Sequence, residues 1–476
     1  MKKIFYYLIC LISMHFMNGC TLYKKPDAPD LKNPQSFKSK IKITSANLKD
    51  HWWENFHDEK LNQLLLVAFE KNNNYKISLK NIDIAATYVT QNLSNLFPQV
   101  NLDFNSSRNQ YAAAQLNSFG GLKLPNASGS NLAPRPFDLQ QLSGVVSYQV
   151  DAWNQIRNSV KQAEANQSAS EADSQQVKLM LISSITNTYF QINAASTNIV
   201  NLNKQLKSAN AILKLDTAQF QGGLIDFSVI DDDKNQIESI KTSIITLEKQ
   251  KQILEYTLAY LSGEYPENFN LKIHNGFNEF KKNNLIPAGI PAKMIANRPD
   301  IQEAYYQVLS YGYLEKQTIA NFLPSISLTG AYGYASTALS HLISGPNAYW
   351  NYGLFTTQYV FDYATRLSEY RRSKYQYQSA ILNYKNIAIN AFKEVDSALS
   401  SYKKDNESFD VYQNQYVILK DKLMLANAQY RSGLTGYSEY LTSNLHYLQS
   451  EYALTNQKLT VMQDVIQVYT ALGLGT

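Results

Sequence analysis

Cysteine is nearly missing from this 476-residue chain, which has only Cys10 and Cys20. A disulfide framework or a cysteine metal cluster within one chain is thereby excluded. Long apolar runs are missing too. Past the first twenty residues no uninterrupted stretch reaches the roughly 18 residues of a helical membrane span, so any crossing of a bilayer has to be made of strands. Charge is sparse at 17% of residues with a net +5, too little to argue for a nucleic-acid partner. Proline is absent from 137–265 and again from 347–476, which leaves two stretches of about 130 residues free to run as helix. Catalytic signatures are also lacking. The six histidines are scattered, His51 and His57 flank Trp52 and Trp53 as packing or surface residues, and no serine elbow, phosphate loop or paired metal motif is present. The chain is not expected to be an enzyme.

What is there begins with a leader. Lys2 and Lys3 precede an apolar stretch from Ile4 to Met17 that is too short to anchor, and Gly19 precedes Cys20. That arrangement predicts a lipoprotein signal over 1–19, with diacylglycerol and an acyl chain attached to Cys20 as the only cofactor-like group. The acyl chains would hold the N-terminus at a membrane surface.

Beyond an extended segment over 20–50, the chain reads as one unit written twice. "NLFPQVNLDFN" at 95–105 pairs with "NFLPSISLTGAYGY" at 321–334, "YQVDAWNQIRNSV" at 148–160 with "YVFDYATRLSEYR" at 359–371, and "AQFQGGLIDFS" at 218–228 with "AQYRSGLTGYS" at 428–438. The copies are placed at 51–265 and 298–476, joined by a linker over 266–297, and the first carries an insertion near 119–136. In each, a helix ending at proline leads to two strands and then two long helices. Val100, Leu102 and Phe104 alternate with Asn101, Asp103 and Asn105, and the same period of two recurs at 142–150 and 326–334. A fourth strand is expected over 349–361. After Gly222-Gly223 a heptad seam runs through Ile230, Ile237, Ile244 and Leu258 against Ile240, Leu247, Leu254 and Leu261, broken at Asp233 and Lys251. Leu441, Leu448, Met462 and Tyr469 repeat it after Gly433.

Four strands with one apolar and one polar face cannot close alone, and open edges cannot sit in lipid. Two copies would make an eight-stranded barrel filled by side chains, whereas three make twelve strands and leave a lumen. The expected fold is therefore an α+β membrane protein: a homotrimer in which a coiled-coil barrel of long helices continues a twelve-stranded β-barrel.

At this point the residues resemble a family. "HWWENFHDEKLNQLLLVAFEKNNNYKIS" at 51–78, "IPAGIPAKMIANRPDIQEA" at 286–304 with Arg298, Pro299, Asp300 and Ile301, and "NFLPSISLTG" are similar to the TolC-type outer-membrane efflux proteins, in particular their lipoprotein branch. Asp151, Ala152, Trp153, Asn154, Gln155, Ile156 and Arg157 depart from that family's Asp-Leu-Trp-Gly-Arg. The resemblance implies a lipid-anchored channel in the outer membrane of a Gram-negative bacterium. It would carry drugs or other small toxic compounds from an inner-membrane transporter of RND, MFS or ABC type through a periplasmic adaptor. It also implies a gate where the paired helices turn, at Gly223 and Gly433, with Tyr430, Arg431 and Glu439 in one copy and Asp226, Asp231 and Asp232 in the other. Asp231 to Asp233 also read as a solvated first turn of helix. Two other readings are an outer-membrane channel for type I protein secretion and a non-conducting coiled-coil structural or adhesive lipoprotein; the second does not need four amphipathic strands.

Overall fold

The computed structural model describes residues 25–27, 34, 37, 51–110, 136–270, 292–361 and 363–475. The leader, Cys20, most of the insertion near 119–136 and most of the linker over 266–297 lie outside these residues. The described chain runs through α1 (Glu59–Lys71), α2 (Asn73–Ser94), β1 (Gln99–Asn109), β2 (Phe137–Val150), α3 (Gln155–Gln221) and α4 (Phe227–Leu261). It continues through α5 (Pro299–Ala320), β3 (Ser325–Ser336), β4 (Ala348–Thr357), α6 (Tyr363–Arg431) and α7 (Tyr437–Ala471). The duplication is plain in the lengths. The outgoing helices α3 and α6 have 67 and 69 residues, and the return helices α4 and α7 have 35 each. At 1.5 Å per residue α3 is about 100 Å long.

Each helix begins and ends for a local reason. Asp58 opens α1 by accepting from the amides of Lys60 and Leu61, and Leu61, Leu64, Leu65 and Ala68 then recur on one buried stripe. At Asn72 the backbone leaves the helix and its side chain starts α2 by accepting from the Tyr75 amide. The unfamiliar turn after β2 resolves at Asn154, whose φ of +58° is the left-handed conformation that the family's glycine would supply and that asparagine tolerates better than most residues. Around it, Asp151 accepts from the amides of Ile156 and Arg157 to cap α3, and the Trp153 indole donates to the Pro324 carbonyl at 2.7 Å.

Two compact units form, and each draws on both copies of the repeat. The first (1–28, 84–167, 307–381) holds one antiparallel sheet in the order β1-β2-β3-β4. Val100 faces Val146, Tyr148 faces Leu328, and Leu328 faces Leu354, so directly opposed residues share a face across all four strands. The last strand stops at Thr357, short of the expected Phe361: Gln358 turns its amide to the Phe322 carbonyl, and Arg366 lies 4.2 Å over the Tyr359 ring.

The second unit (29–83, 168–306, 382–476) is helical. Trp52, Leu65, Ile185, Leu258, Val395 and Val465 are among its fully buried side chains. Burying each such group is worth about 1.5–3 kcal/mol. The heptad seam is realised between α3 and α4, where Leu202 and Ala209 meet Ile237, Ile240 and Ile244. Between α3 and α7 polar bonds add to the apolar packing, to which Tyr452 also contributes. The Asn198 amide donates to Asn456 at 2.7 Å, Asn201 to Glu451 at 2.8 Å, and Asn444 to Ser208 at 3.1 Å.

Candidate functional site: a two-faced sheet and two helical turns

The sheet sorts its side chains by face. One face carries Val100, Leu102, Phe104, Val146, Leu328 and Leu354, bounded by Tyr332, Trp350 and Tyr352; Leu102 is 77% and Tyr352 81% exposed. So much apolar surface standing free marks a contact with lipid or another apolar phase. On the opposite face Asn101, Asp103, Ser143, Ser147, Ser327, Thr329 and Asn351 are short and polar. Where that face meets α3 and α5, Asn95, Gln99, Gln149, Gln155, Gln317 and Thr329 help to line a cavity of about 530 Å³. Aqueous solutes, not hydrocarbon, suit such a lining. Among the described residues β1 pairs only with β2 and β4 only with β3, so both edges present unpaired backbone groups.

The two helical turns share one backbone. At the first, the Leu224 amide donates to the Gln219 carbonyl and Gly223 to Phe220, both at 2.9 Å, with Gly223 at φ +72°. At the second, Leu434 donates to Gln429 at 2.9 Å and Gly433 to Tyr430 at 3.0 Å, with Gly433 at φ +75°. This is the double hydrogen-bonded helix stop that places a left-handed residue just past the last turn. The return helices end the same way at Gly263 and Gly473, a second pair that the sequence reading passed over.

Side chains at the turns differ. Asp226 caps α4 by accepting from the Ser228 amide at 3.1 Å; its twin, 210 positions on, is Gly436, with no side chain to cap α7. Asp231 lies 3.4 Å from Lys234, and Asp232 stands exposed beside it. In the second turn the Tyr430 ring packs 5.0 Å from Tyr437 and 6.1 Å from Tyr440, where the first copy has Phe220 against Phe227 at 5.4 Å. Arg431 and Glu439 are both exposed, Arg431 as the last residue of α6 and Glu439 in the first turn of α7. Tyr430 is thus brought into an aromatic cluster, and Asp226, Asp231 and Asp232 are gathered at one helix start. Two further acids sit inside the hairpins. Burial and the neighbouring Asp216 push Asp233 up to about 6, and burial with Asp405 pushes Asp464 up to about 7.

Arg298, the signature arginine, is buried at 6% exposure and holds the end of α7. Its guanidinium reaches Asp300 at 2.8 Å and Glu394 at 2.7 Å and donates to the Ala471 carbonyl at 2.6 Å. Trp52 stacks on Tyr469 at 5.0 Å and donates to the Leu474 carbonyl at 3.0 Å. Sequence alone could flag Arg298 but not Glu394, which lies 96 residues away.

With this geometry in place, comparison with known proteins is informative. The family model described as outer membrane efflux protein matches residues 71–264 and 290–474. The probable efflux pump outer membrane protein TtgC of Pseudomonas putida is 22% identical over 471 residues, covering 98% of this chain and 94% of that protein. The probable outer membrane lipoprotein SilC of Salmonella typhimurium is 24% identical over 477 residues, covering 98% of both. The crystal structure of the Campylobacter jejuni CmeC outer membrane channel superposes with a TM-score of 0.80 at 25% identity, covering 95% of this chain and 94% of that one. A match over most of the chain, on a sheet with one lipid-suited and one water-suited face, means that this chain belongs to the outer membrane efflux protein family and is an outer-membrane channel of tripartite efflux.

Proposed function

We propose that three copies of this chain join their sheets edge to edge into a twelve-stranded barrel, which carries drugs or other small toxic compounds out across the outer membrane. The observation that carries this is the open four-stranded sheet, whose β1 and β4 edges can find partners in lipid only by closure with other copies. Twelve strands leave a lumen for the Asn101, Ser147 and Thr329 face, and the Val100, Leu102 and Leu354 face turns to lipid.

In this reading a periplasmic adaptor and an inner-membrane transporter deliver cargo to the helical hairpins, and the channel itself conducts passively. The two helical turns form the gate. Tyr430, Arg431 and Glu439 line one part and Asp226, Asp231 and Asp232 the other; three copies of each acid in a narrow wet ring would repel one another and draw cations. Cys20, acylated at its amino end, anchors the chain to the lipid.

Native mass of the full chain extracted in detergent from an outer-membrane fraction, followed by conductance in a planar bilayer, tests the proposal. A mass near three chains with step-like conductance is expected. A monomer that does not conduct would sink it.

A further inference from the structure

We infer that Gly312 and Tyr377 form a seat for the N-terminal segment, and that this seat fixes where the acylated Cys20 enters the membrane. The inference rests on the reading of Cys20 as a lipid-bearing residue.

Gly312 lies inside α5, where glycine is a poor helix former and needs a packing reason. The reason is Pro26. A Cβ at position 312 would stand 2.5 Å from the Pro26 Cβ and 2.7 Å from its Cγ, so only glycine lets the proline, itself buried, lie against the helix. One residue on, the Tyr377 hydroxyl of α6 donates to the Asp27 carbonyl at 2.6 Å. Burial and the nearby Asp27 and Glu315 carboxyls push that hydroxyl up from its ordinary range, so it stays a donor at neutral pH. The seat spans both helices, which are joined close by through Thr318 and Ser373 hydroxyls at 2.8 Å and through Arg366 on the Asn321 carbonyl.

Position matters because both helices run straight into the sheet. Gly312 is eight residues from the end of α5, about 12 Å along its axis, and β3 starts at Ser325. Six residues separate Cys20 from Pro26 and span at most about 20 Å when fully extended. With Pro26 seated, Cys20 is held within about 20 Å of a point that itself lies about 12 Å from the end of α5, the helix that leads into β3 and the half of the sheet ending in the unpaired β4 edge. Without the seat, the next buried residue among those described is Phe37, seventeen positions from Cys20; with it, the tether is six positions long.

Trypsin tests this on the full-length protein in isolated outer membranes. The Lys24-Lys25 bond is cleavable, whereas Lys25-Pro26 resists because proline follows, so cleavage releases the peptide Cys20 to Lys24 for mass spectrometry. The wild type is expected to lose this peptide at least tenfold more slowly than Gly312→Leu, with Tyr377→Phe in between. Should Gly312→Leu fail to fold, Tyr377→Phe, which adds no bulk to α5 and no tryptic bond, decides the matter. Equal release from wild type and every folded variant overturns the seat. The mass of the same peptide reports acylation separately: an unmodified Cys20 overturns the anchor, while the release rates still judge the seat.

Discussion

The two return helices make the most instructive comparison in the molecule. α4 and α7 have the same length, enter from the same glycine turn and leave through the same glycine stop, yet different side chains serve them. At the start, Asp226 caps α4 and Gly436 stands at the same place before α7. At the turn, Phe220 and Phe227 become Tyr430 and Tyr437. At the end, the Leu261 carbonyl accepts from the neutral Asn72 amide at 2.9 Å, and its twin carbonyl on Ala471 accepts from the charged Arg298. Duplication preserved the backbone, which glycine and hydrogen-bond geometry fix, and freed the side chains to diverge. The first hairpin has simple caps and apolar packing; the second has a buried charge at its end and hydroxylated rings at its turn.

The sharpest way to break this comparison is at the helix ends. Arg298→Met leaves Asp300 and the half-exposed Glu394 without their cation and the Ala471 carbonyl without a donor, a loss of about 2–4 kcal/mol after allowing for solvent screening. Asn72→Ala removes one neutral donor together with the cap on the Tyr75 amide and costs about 1–3 kcal/mol. Denaturant midpoints should fall in that order, and equal midpoints would erase the distinction. Next come the glycines. Gly223→Ala and Gly433→Ala each force a Cβ into the left-handed region at about 1–2 kcal/mol, though neither meets a neighbour within 4 Å. The two should therefore cost the same, which a melting series would check.

Asymmetry returns in conduction. Tyr430→Phe with Glu439→Gln should raise the open fraction of single channels by about tenfold, equivalent to about 1.4 kcal/mol of lost polar contact. Phe220→Leu with Val229→Ala, at the twin positions, should leave it unchanged, and planar-bilayer recordings would separate the pairs. Smaller still is the cap: Asp226→Ala should cost about 1 kcal/mol of stability, and Asp226→Gly, which copies the second hairpin, only a few tenths. Thermal unfolding of both variants measures the gap. The gentlest effect is pH. Asp464 and Asp233 titrate higher when folded than unfolded, so their stabilising share is complete below the unfolded carboxyl range and is lost as pH rises through about 6 to 7. Wild type should melt lower at pH 8 than at pH 5, and Asp464→Asn should flatten that slope.

Much of this architecture was legible beforehand. Alternation marked the first three strands because each has one wet and one apolar face, whereas the fourth alternates less cleanly and ends four residues short of the expected Phe361; the heptads gave the α3–α4 seam because its contacts are apolar. The polar α3–α7 contact was not legible: Asn198, Asn201 and Asn456 look like solvent-facing residues until their partners are known. The family signature marked Arg298, but its function depends on Glu394 and Ala471, which only folding brings near. Asp226 stood out as an acid near a turn, and its capping bond to Ser228 is local enough to have been read from the Asp-Phe-Ser spacing. Gly263 and Gly473 escaped notice because neither repeats a conspicuous pair like Gly222-Gly223. Gly263 is the more constrained of the two, since a Cβ there would meet the Lys71 carbonyl oxygen at 2.4 Å.

The shared glycine turn also makes its segment a portable part. Residues 219–230 and 429–440 begin and end in the same helix geometry and close through the same pair of amide bonds, so either can be spliced into the other hairpin without re-aiming the helices it joins. A chain with two copies of one turn would still fold back on itself twice, and the chemistry displayed there could be exchanged as a cassette.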